Sequence, residues 1–429
     1  MPHLKLLNLG CNGFPDIYRG SEKRRFGDES LIDQILIVNF FIKNLNYNQN
    51  KLKWKVNILS KLYSQLKTKE TKKLLCLFYI LKIRFLKITK KLENFIKFRN
   101  STLIKLGNLI HNTCVFSETE LNLRIENSYD IQRINKSVLT HIEILKKIMA
   151  VDYKRGISVA GNRSYFFKNI GTLLNFSLIR YGLDFLSKKR FINLQTPFFM
   201  KNNLLKKCTQ LHDFSEQLYE LGNSCHKFLI ATSEQPISAF HSSEKISFTK
   251  LPLRYSGFST CFRKEGGSHG KDTSGIFRVH QFEKVEQFII GKSDRNSWKL
   301  YEEMLENSRG FYKTFDIPFH LTSIPSGSIN LTASKKIDIL GFFPSSKSFR
   351  ELVSCSNCTT HQSKKLLVEY KLDSGLNKNV PVSMLNSTLC ATGRLICCIC
   401  ENYQQNDGIS IPFVLRSYTG ISFLPYWNK

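Results

Sequence analysis

Apolar residues recur over the first hundred positions at the spacing of a helical seam. Leu45, Leu52, Leu59 and Leu66 repeat every seven residues, with Val56 and Tyr63 at the complementary positions, the a/d pattern of a coiled coil. After a polar break at 67–73 the pattern resumes, and Leu74, Phe78, Leu81, Phe85, Ile88, Leu92 and Phe95 step by four and three. Two helices of similar length, about 29–67 and 72–108, are predicted to fold back as an antiparallel hairpin, each burying the other's apolar stripe. From 111 to 150 the chain is polar and weakly patterned, so irregular structure is expected there. Beyond it a helical period at 170–186 alternates with β-rich runs at 227–231, 259–263, 276–282, 319–324 and 336–340. Strands with helices on one side predict an α+β domain built on an antiparallel sheet. The organisation expected is an N-terminal domain with a helical arm (1–110), a connector (111–150) and a larger domain (151–429).

Charge sharpens this picture. Lys and Arg number 63 against 34 Asp and Glu, a formal net charge of +29, which implies a polyanionic partner. A lysine-rich compositional bias, also visible in the abundant Asn, Ile and Phe, accounts for part of the same excess. The segment 29–110 alone carries 17 Lys and Arg against 4 Asp and Glu. A coiled coil serving only oligomerisation would balance Glu with Lys. A basic helical arm cannot enter the deep, narrow major groove of RNA, so it would follow a path of phosphates and sugars. No run of about 18 uncharged apolar residues and no charged-then-apolar leader is present, so a soluble chain is expected. The 12 cysteines read as reduced thiols. Cys355 and Cys358, with His361 nearby and Cys397, Cys398 and Cys400 later, resemble a zinc set. The stretch 395–400, however, reads as an apolar helix face in which Cys is a small hydrophobe.

The chemistry concentrates in CFRKEGGSHGKDTSGIFRVHQFEKVEQF, residues 261–288, which reads as strand, Gly-rich loop and strand. Arg263 and Glu265, two apart on a strand, would leave the same face. An Arg fork grips phosphate or carboxylate oxygens at two points, and a carboxylate accepts from an amino group. Arg-x-Glu alone fits equally a β-hairpin with a surface ion pair. Alternation sets Glu286 on the face of Lys284 and opposite Val285, so one face is buried and the other lines a site. In TSEQP, Thr232 and Glu234 precede Pro236; such a pair receives an ammonium group, or serves as a cap with a solvated carboxylate.

The string 261–288 resembles motif 2 of class II aminoacyl-tRNA synthetases, in the form found in seryl-tRNA synthetases of the eukaryotic cytosolic type. Further blocks resemble the same family in order: SEKRRFGDESLIDQ (21–34), GNRSYFFK (161–168), TPFFM (196–200), IATSEQPI (230–237), FRELVSCSNC (349–358) and LNSTLCATGR (385–394). The resemblance covers most of the chain outside the arm, about 35–105. It implies the class II catalytic fold, a cytoplasmic ATP-dependent ligase that joins serine to tRNA-Ser, and an arm on the long variable arm of that tRNA. The block around 196–200 corresponds to motif 1 and implies a homodimer.

The resemblance also implies residue roles. Arg263 and Arg394 would be catalytic, the first on the α-phosphate and the amino-acid carboxylate, the second on the γ-phosphate. Thr232, Glu234, Arg263, Glu286, Asn386 and Thr388 would bind serine, with Glu286 taking its hydroxyl. ATP would meet Arg263, Lys264, Glu265, Val279, His280, Gln281, Phe282, Glu351, Leu352, Val353, Ser354 and Arg394, with Glu265 on the adenine amino group and Phe282 against its ring. Glu351 and Ser354 offer hard oxygens for Mg2+. The loop 266–274, with His269 and Lys271, would guide the acceptor end of the tRNA. Thr360 and His361 stand where the family commonly has Asp-Tyr, and Lys364 and Lys365 where it has paired Arg. Two other readings stay open: a synthetase-like RNA-binding protein without catalysis, and an amino-acid ligase that charges a carrier other than tRNA.

Overall fold

The computed structural model describes residues 13–65, 71–119, 124–129, 138–209, 217–222, 226–265, 275–293, 295–371 and 379–427. Two compact units divide the chain, Met1–Leu109 and Ile110–Lys429.

In the first unit the two heptad-bearing segments are helices, α2 (Ser30–Gln65) and α3 (Thr71–Lys105), preceded by α1 (Pro15–Arg24). They pack against each other through the predicted stripe: Leu45, Leu52, Val56, Leu59, Leu74, Phe78, Leu81, Phe85 and Ile88 are half-buried, while Tyr63 is exposed and Leu66 lies outside the described residues. Burial deepens at the base, where Val38, Ile42 and Leu92 form one cluster and Tyr18, Ile32, Ile35, Leu103 and Leu106 another. Gln49 Nε2 donates to Thr89 Oγ1 at 2.8 Å, a polar cross-link that fixes the register of the two helices. Helix α3 stops at Lys105, short of the expected 108, and the Gly107 N–H donates instead to the buried Glu22 carboxylate at 2.9 Å.

The second unit is built on an eight-stranded sheet: β1 (Arg124–Tyr129), β2 (Ile192–Gln195), β3 (Leu253–Phe262), β4 (Gln281–Gly291), β5 (Phe319–Ser323), β6 (Lys335–Phe343), β7 (Ser348–Asn357) and β8 (Ser383–Ala391). Their order is β1-β5-β6-β7-β8-β4-β3-β2, and only the β2–β3 pair is parallel. Alternation splits the long strand β4 cleanly. Val285 and Ile289 enter the main core with Leu385, Leu389, Ile337 and Val353, together with side chains of helices α5 (Ile170–Lys188), α7 (Asn296–Lys313) and α8 (Thr392–Asn402). Phe288 and Ile290 join a second cluster on the opposite face with Ile237 of α6 (Glu234–Phe240). Lys284 and Glu286 share that second face, which leaves the functional side chains away from the three long helices.

Three expectations are corrected. The stretch 276–282 is not a strand until Gln281: Ile276 and Phe277 are apolar because they are buried in the main core, not because they pair. The connector is not wholly irregular, since it contains β1, paired with β5, and α4 (His141–Lys147). Thr140 and Glu143 form a capping box that starts α4, and Ile144 and Leu145 bury beneath it. The runs at 227–231 and 259–263 are strands of other lengths, Lys227–Leu229 and β3.

Cys397, Cys398 and Cys400 lie on the buried face of α8, and burial holds each thiol well above its ordinary range. Among the described residues no group of three or more His, Cys, Asp or Glu could hold a metal, and no helix is long and apolar enough to cross a membrane. Cys76 on the arm is exposed. Iodoacetamide on the native protein should therefore modify Cys76 on the order of a hundredfold faster than Cys397, Cys398 or Cys400, read out by peptide mass spectrometry.

Candidate active site

Strands β3 and β4 carry the site between them. The chain leaves β3 at Phe262, so Arg263 and Glu265 lie beyond the strand, and the same-face argument from alternation does not place them. Hydrogen bonds do: the Arg263 N–H donates to His280 O at 2.9 Å and the Lys264 N–H to Gln217 O at 2.8 Å. Glu265 has φ +48°, a left-handed conformation costly for a residue with a Cβ, and its carbonyl accepts from Arg163. The resulting turn points its carboxylate at Arg278, with Nε 3.2 Å away. Gly275, at φ +83°, ends the same loop. His269 and Lys271 lie outside the described residues.

Arg263, Glu265, Val279, Phe282, Lys284, Glu351, Leu352, Thr388 and Arg394 line one cleft, joined by Phe277 and Arg278. The guanidinium of Arg263 stands 5.3 Å from the centroid of the Phe282 ring. Those of Arg394 and Arg350 stand 5.0 and 5.4 Å from Phe277. Arg394 is in the first turn of α8, directly after β8, and Nη1 donates to Glu351 O at 3.1 Å beside the Glu351 carboxylate at 3.5 Å. Desolvation pushes the Glu351 carboxyl up, but Arg394, Lys336, Arg263 and Lys284 outweigh it and hold it down at about 2. The cleft wall is thus a carboxylate ringed by cations, a suitable setting for a polyphosphate with its counter-ion.

Deeper in the site Glu286 is buried and gathers donors from both sides. Its Oε2 accepts from Thr232 Oγ1 at 2.5 Å, Ser233 Oγ at 2.8 Å and the Glu234 N–H at 2.8 Å. Its Oε1 pairs with the Lys284 ammonium and lies 3.5 Å from Thr388 Oγ1, the cross-strand neighbour of Glu286. Burial alone would raise the Glu286 carboxyl, yet Lys284, Thr232 and Ser233 together hold it below its ordinary range. Glu234, the first residue of α6 rather than a strand end, is instead raised to about 7 by desolvation and by the Glu286 charge. Gln362 Nε2 donates to its carboxylate at 2.8 Å.

Other expected residues do not line this cleft. Gln281 lines a separate cavity with Arg163, Tyr165 and Glu283. His280 Nδ1 lies 3.0 Å from Arg263 O and so supports the backbone. Val353 is buried in the main core. Ser354 is the cross-strand partner of Asp338, and Asn386 Nδ2 donates to Cys358 Sγ at 3.5 Å. Sequence reasoning gave no role to Lys284, Ser233 or Arg278. For Lys284 the alternation that located Glu286 already set it on the same face; Ser233 and Arg278 depend on turns that periodicity does not read.

An antiparallel sheet with an Arg-bearing β3–β4 hairpin and a second Arg opening the helix after β8 defines a class II aminoacyl-tRNA synthetase core. The family model described as "tRNA synthetase class II core domain (G, H, P, S and T)" matches residues 219–403. The cytoplasmic serine–tRNA ligase of Arabidopsis thaliana is 42% identical over 97% of this chain and 94% of its own length; that of Homo sapiens is 37% identical over 97% and 88%. The chain belongs to the seryl-tRNA synthetase family. A crystal structure of the cytoplasmic serine–tRNA ligase of Naegleria fowleri in complex with AMP is similar at TM-score 0.88 and 39% identity, over 99% of both chains. That of the seryl-tRNA synthetase of Pyrococcus horikoshii with ATP is similar at TM-score 0.90 and 29% identity, over 100% of both.

Ser233 is fully buried, and its hydroxyl donates to Glu286 at 2.8 Å, with Gly257 O a more distant acceptor at 3.4 Å. Replacing Ser233 with Ala should lower unfolding free energy by roughly 1.5–3 kcal/mol, the value of a hydrogen bond to a charged group, as measured by urea denaturation.

Proposed function

We propose that this chain activates L-serine with ATP and transfers it to the 3′ end of tRNA-Ser in the cytoplasm, as the names of its relatives indicate for them. The observation that carries the reading is that one cleft holds both the cationic wall of Arg263 and Arg394 and the side chains of Lys284 and Thr388, the two groups on Oε1 of the buried, ionised Glu286 behind them. A polyphosphate suits the first and a small hydroxylated amino acid the second.

In this reading Arg263 holds the α-phosphate and the serine carboxylate, Arg394 the γ-phosphate, and Phe282 and Glu265 the adenine. Glu234 and Thr232 receive the α-ammonium group, Glu286 the hydroxyl, and Thr388 and Asn386 limit the volume. No general base is needed, since the serine carboxylate is already an anion. One of its oxygens bonds to the α-phosphorus, the bond from that phosphorus to the bridging oxygen breaks, and pyrophosphate leaves with the electron pair. The work of the residues is alignment and neutralisation of charge. The terminal ribose hydroxyl of the tRNA then attacks the activated carbonyl and AMP departs. Glu351 and Ser354, both hard oxygen donors, would hold Mg2+, which neutralises phosphate charge when bound. The ionised state of Glu351 fits that ion, whereas Asp338, across from Ser354, is raised to about 7 by burial and the Glu351 charge and pairs with Lys336.

The unit 1–109 is the tRNA-binding domain in this reading, and the groove between α2 and α3 lined by Lys51, Lys55, Arg84 and Lys87 favours a phosphate backbone. The unit 110–429 is catalytic and acts as a homodimer. Support comes from the exposed apolar side chains of Leu173 and Phe176 on α5 and of Ile192 on β2, the last strand of the sheet.

Serine-dependent pyrophosphate exchange and charging of tRNA-Ser test the proposal. Both should be present in the unsubstituted protein, and R263A should lose exchange by at least about a hundredfold; near-normal exchange in R263A would refute the assignment. Exchange without charging would favour a ligase for another carrier, and absence of both a non-catalytic RNA-binding protein. The raised Glu234 carboxyl adds a pH dependence. An ammonium needs it ionised, so kcat/KM for serine should fall as pH drops below about 7, and E234Q should flatten that limb at a lower plateau.

A further inference from the structure

The Glu286 carboxylate has more donors than it can retain once substrate arrives. Each of its oxygens offers about two acceptor sites. Oε2 is filled by Thr232, Ser233 and the Glu234 N–H, two short side chains and one backbone group that cannot withdraw. Among the described residues, Oε1 has only the Lys284 ammonium and the long contact from Thr388. A substrate hydroxyl that donates to Glu286 therefore takes Oε1, and of its two donors Lys284 is the one on a flexible four-carbon stem. Lys284 also lines the cleft of Arg263, Glu351 and Arg394, so an ammonium that leaves Glu286 has the phosphate end of the site within the same space.

We propose that Lys284 senses the serine hydroxyl: its ammonium occupies the Glu286 oxygen that the hydroxyl takes, and the displaced ammonium turns to the reacting carboxylate and α-phosphate. The inference rests on the assignment of Glu286 to the hydroxyl. With serine bound, Glu286 remains satisfied by the hydroxyl while Lys284 gains an anionic partner. With alanine bound, nothing replaces the ammonium, and leaving a buried carboxylate bare is strongly unfavourable. Lys284 then stays on Glu286 and the chemical step proceeds without it. Discrimination against alanine thus acts on turnover as well as on binding, because the interaction is made only when the correct side chain is present. A Lys284 that merely neutralised Glu286 would serve both amino acids alike.

The test is pyrophosphate exchange by the full-length protein with serine and with alanine, comparing the unsubstituted chain with K284M and K284R. Serine-dependent exchange by the unsubstituted chain checks the functional reading separately; without it, that reading and everything resting on it fall. For K284M the expected result is a drop in kcat for serine of about a hundredfold, an unchanged or lower KM for serine, and alanine turnover changed by less than about threefold. K284R should restore part of the serine turnover. Both amino acids are measured on one preparation, so any unfolded fraction cancels in their ratio. Equal losses for serine and alanine, a raised serine KM with kcat intact, or no change would overturn the proposal. Should K284M not fold, K284Q gives the same readout, and failure of both to fold would assign Lys284 to the architecture and overturn it likewise.

Discussion

A carboxylate taken out of water must be matched by donors, or it protonates or unfolds its surroundings. Glu286 is that carboxylate here, and the local structure is arranged around it. The turn Thr232-Ser233-Glu234 supplies three donors to one oxygen, β4 itself supplies Lys284 two residues away, and β8 brings Thr388 from the next strand. These groups come from segments more than 150 residues apart, so the ionised state of Glu286 is a product of the whole sheet and not of motif 2 alone. The same concentration of charge sets Glu234 apart from it: two carboxyl groups in one buried space do not both ionise with ease, and Glu234 takes the raised value.

How far the chain could be read from its letters depended on the range of the interaction. The arm was legible because a heptad seam is local, and Leu45, Leu52 and Leu59 face the stripe from Leu74 to Phe95 as the spacing requires. The face of Glu286 was legible because alternation on a strand is local too. Glu265 was not: it leaves the strand and takes a left-handed turn that only the partnership with Arg163 and Arg278 explains. The run 276–282 misled for a related reason, since burial in a core and pairing in a sheet select the same residue types. In the connector, the Thr140–Glu143 capping box that starts α4 is a local signal that hydrophobic periodicity does not register.

Roles drawn from family likeness and roles drawn from geometry differ in kind. The likeness brought Arg263, Glu351 and Arg394 to notice, and the cleft brings them together. It also gathered Gln281 and Val353, whose side chains face another cavity and the core. Lys284 is the converse case, unremarkable as a letter and prominent once its neighbours are counted.

Helix α8 carries Arg394 in its first turn and Glu401 near its last. Glu401 is buried; it accepts from His141 Nδ1 at 2.7 Å and from the Ser345 N–H at 3.0 Å, and these contacts hold its carboxyl below the ordinary range against the opposing effect of burial. Seven residues of helix, roughly 10 Å, separate this anchor from the guanidinium in the cleft, with core side chains gripping the shaft between. The helix behaves as a ruler nailed at its far end. How far Arg394 reaches into the cleft is consequently set in part by α4, a segment with no chemistry of its own, and lineages could retune that reach by exchanging residues around His141 while every letter of the cleft stayed fixed.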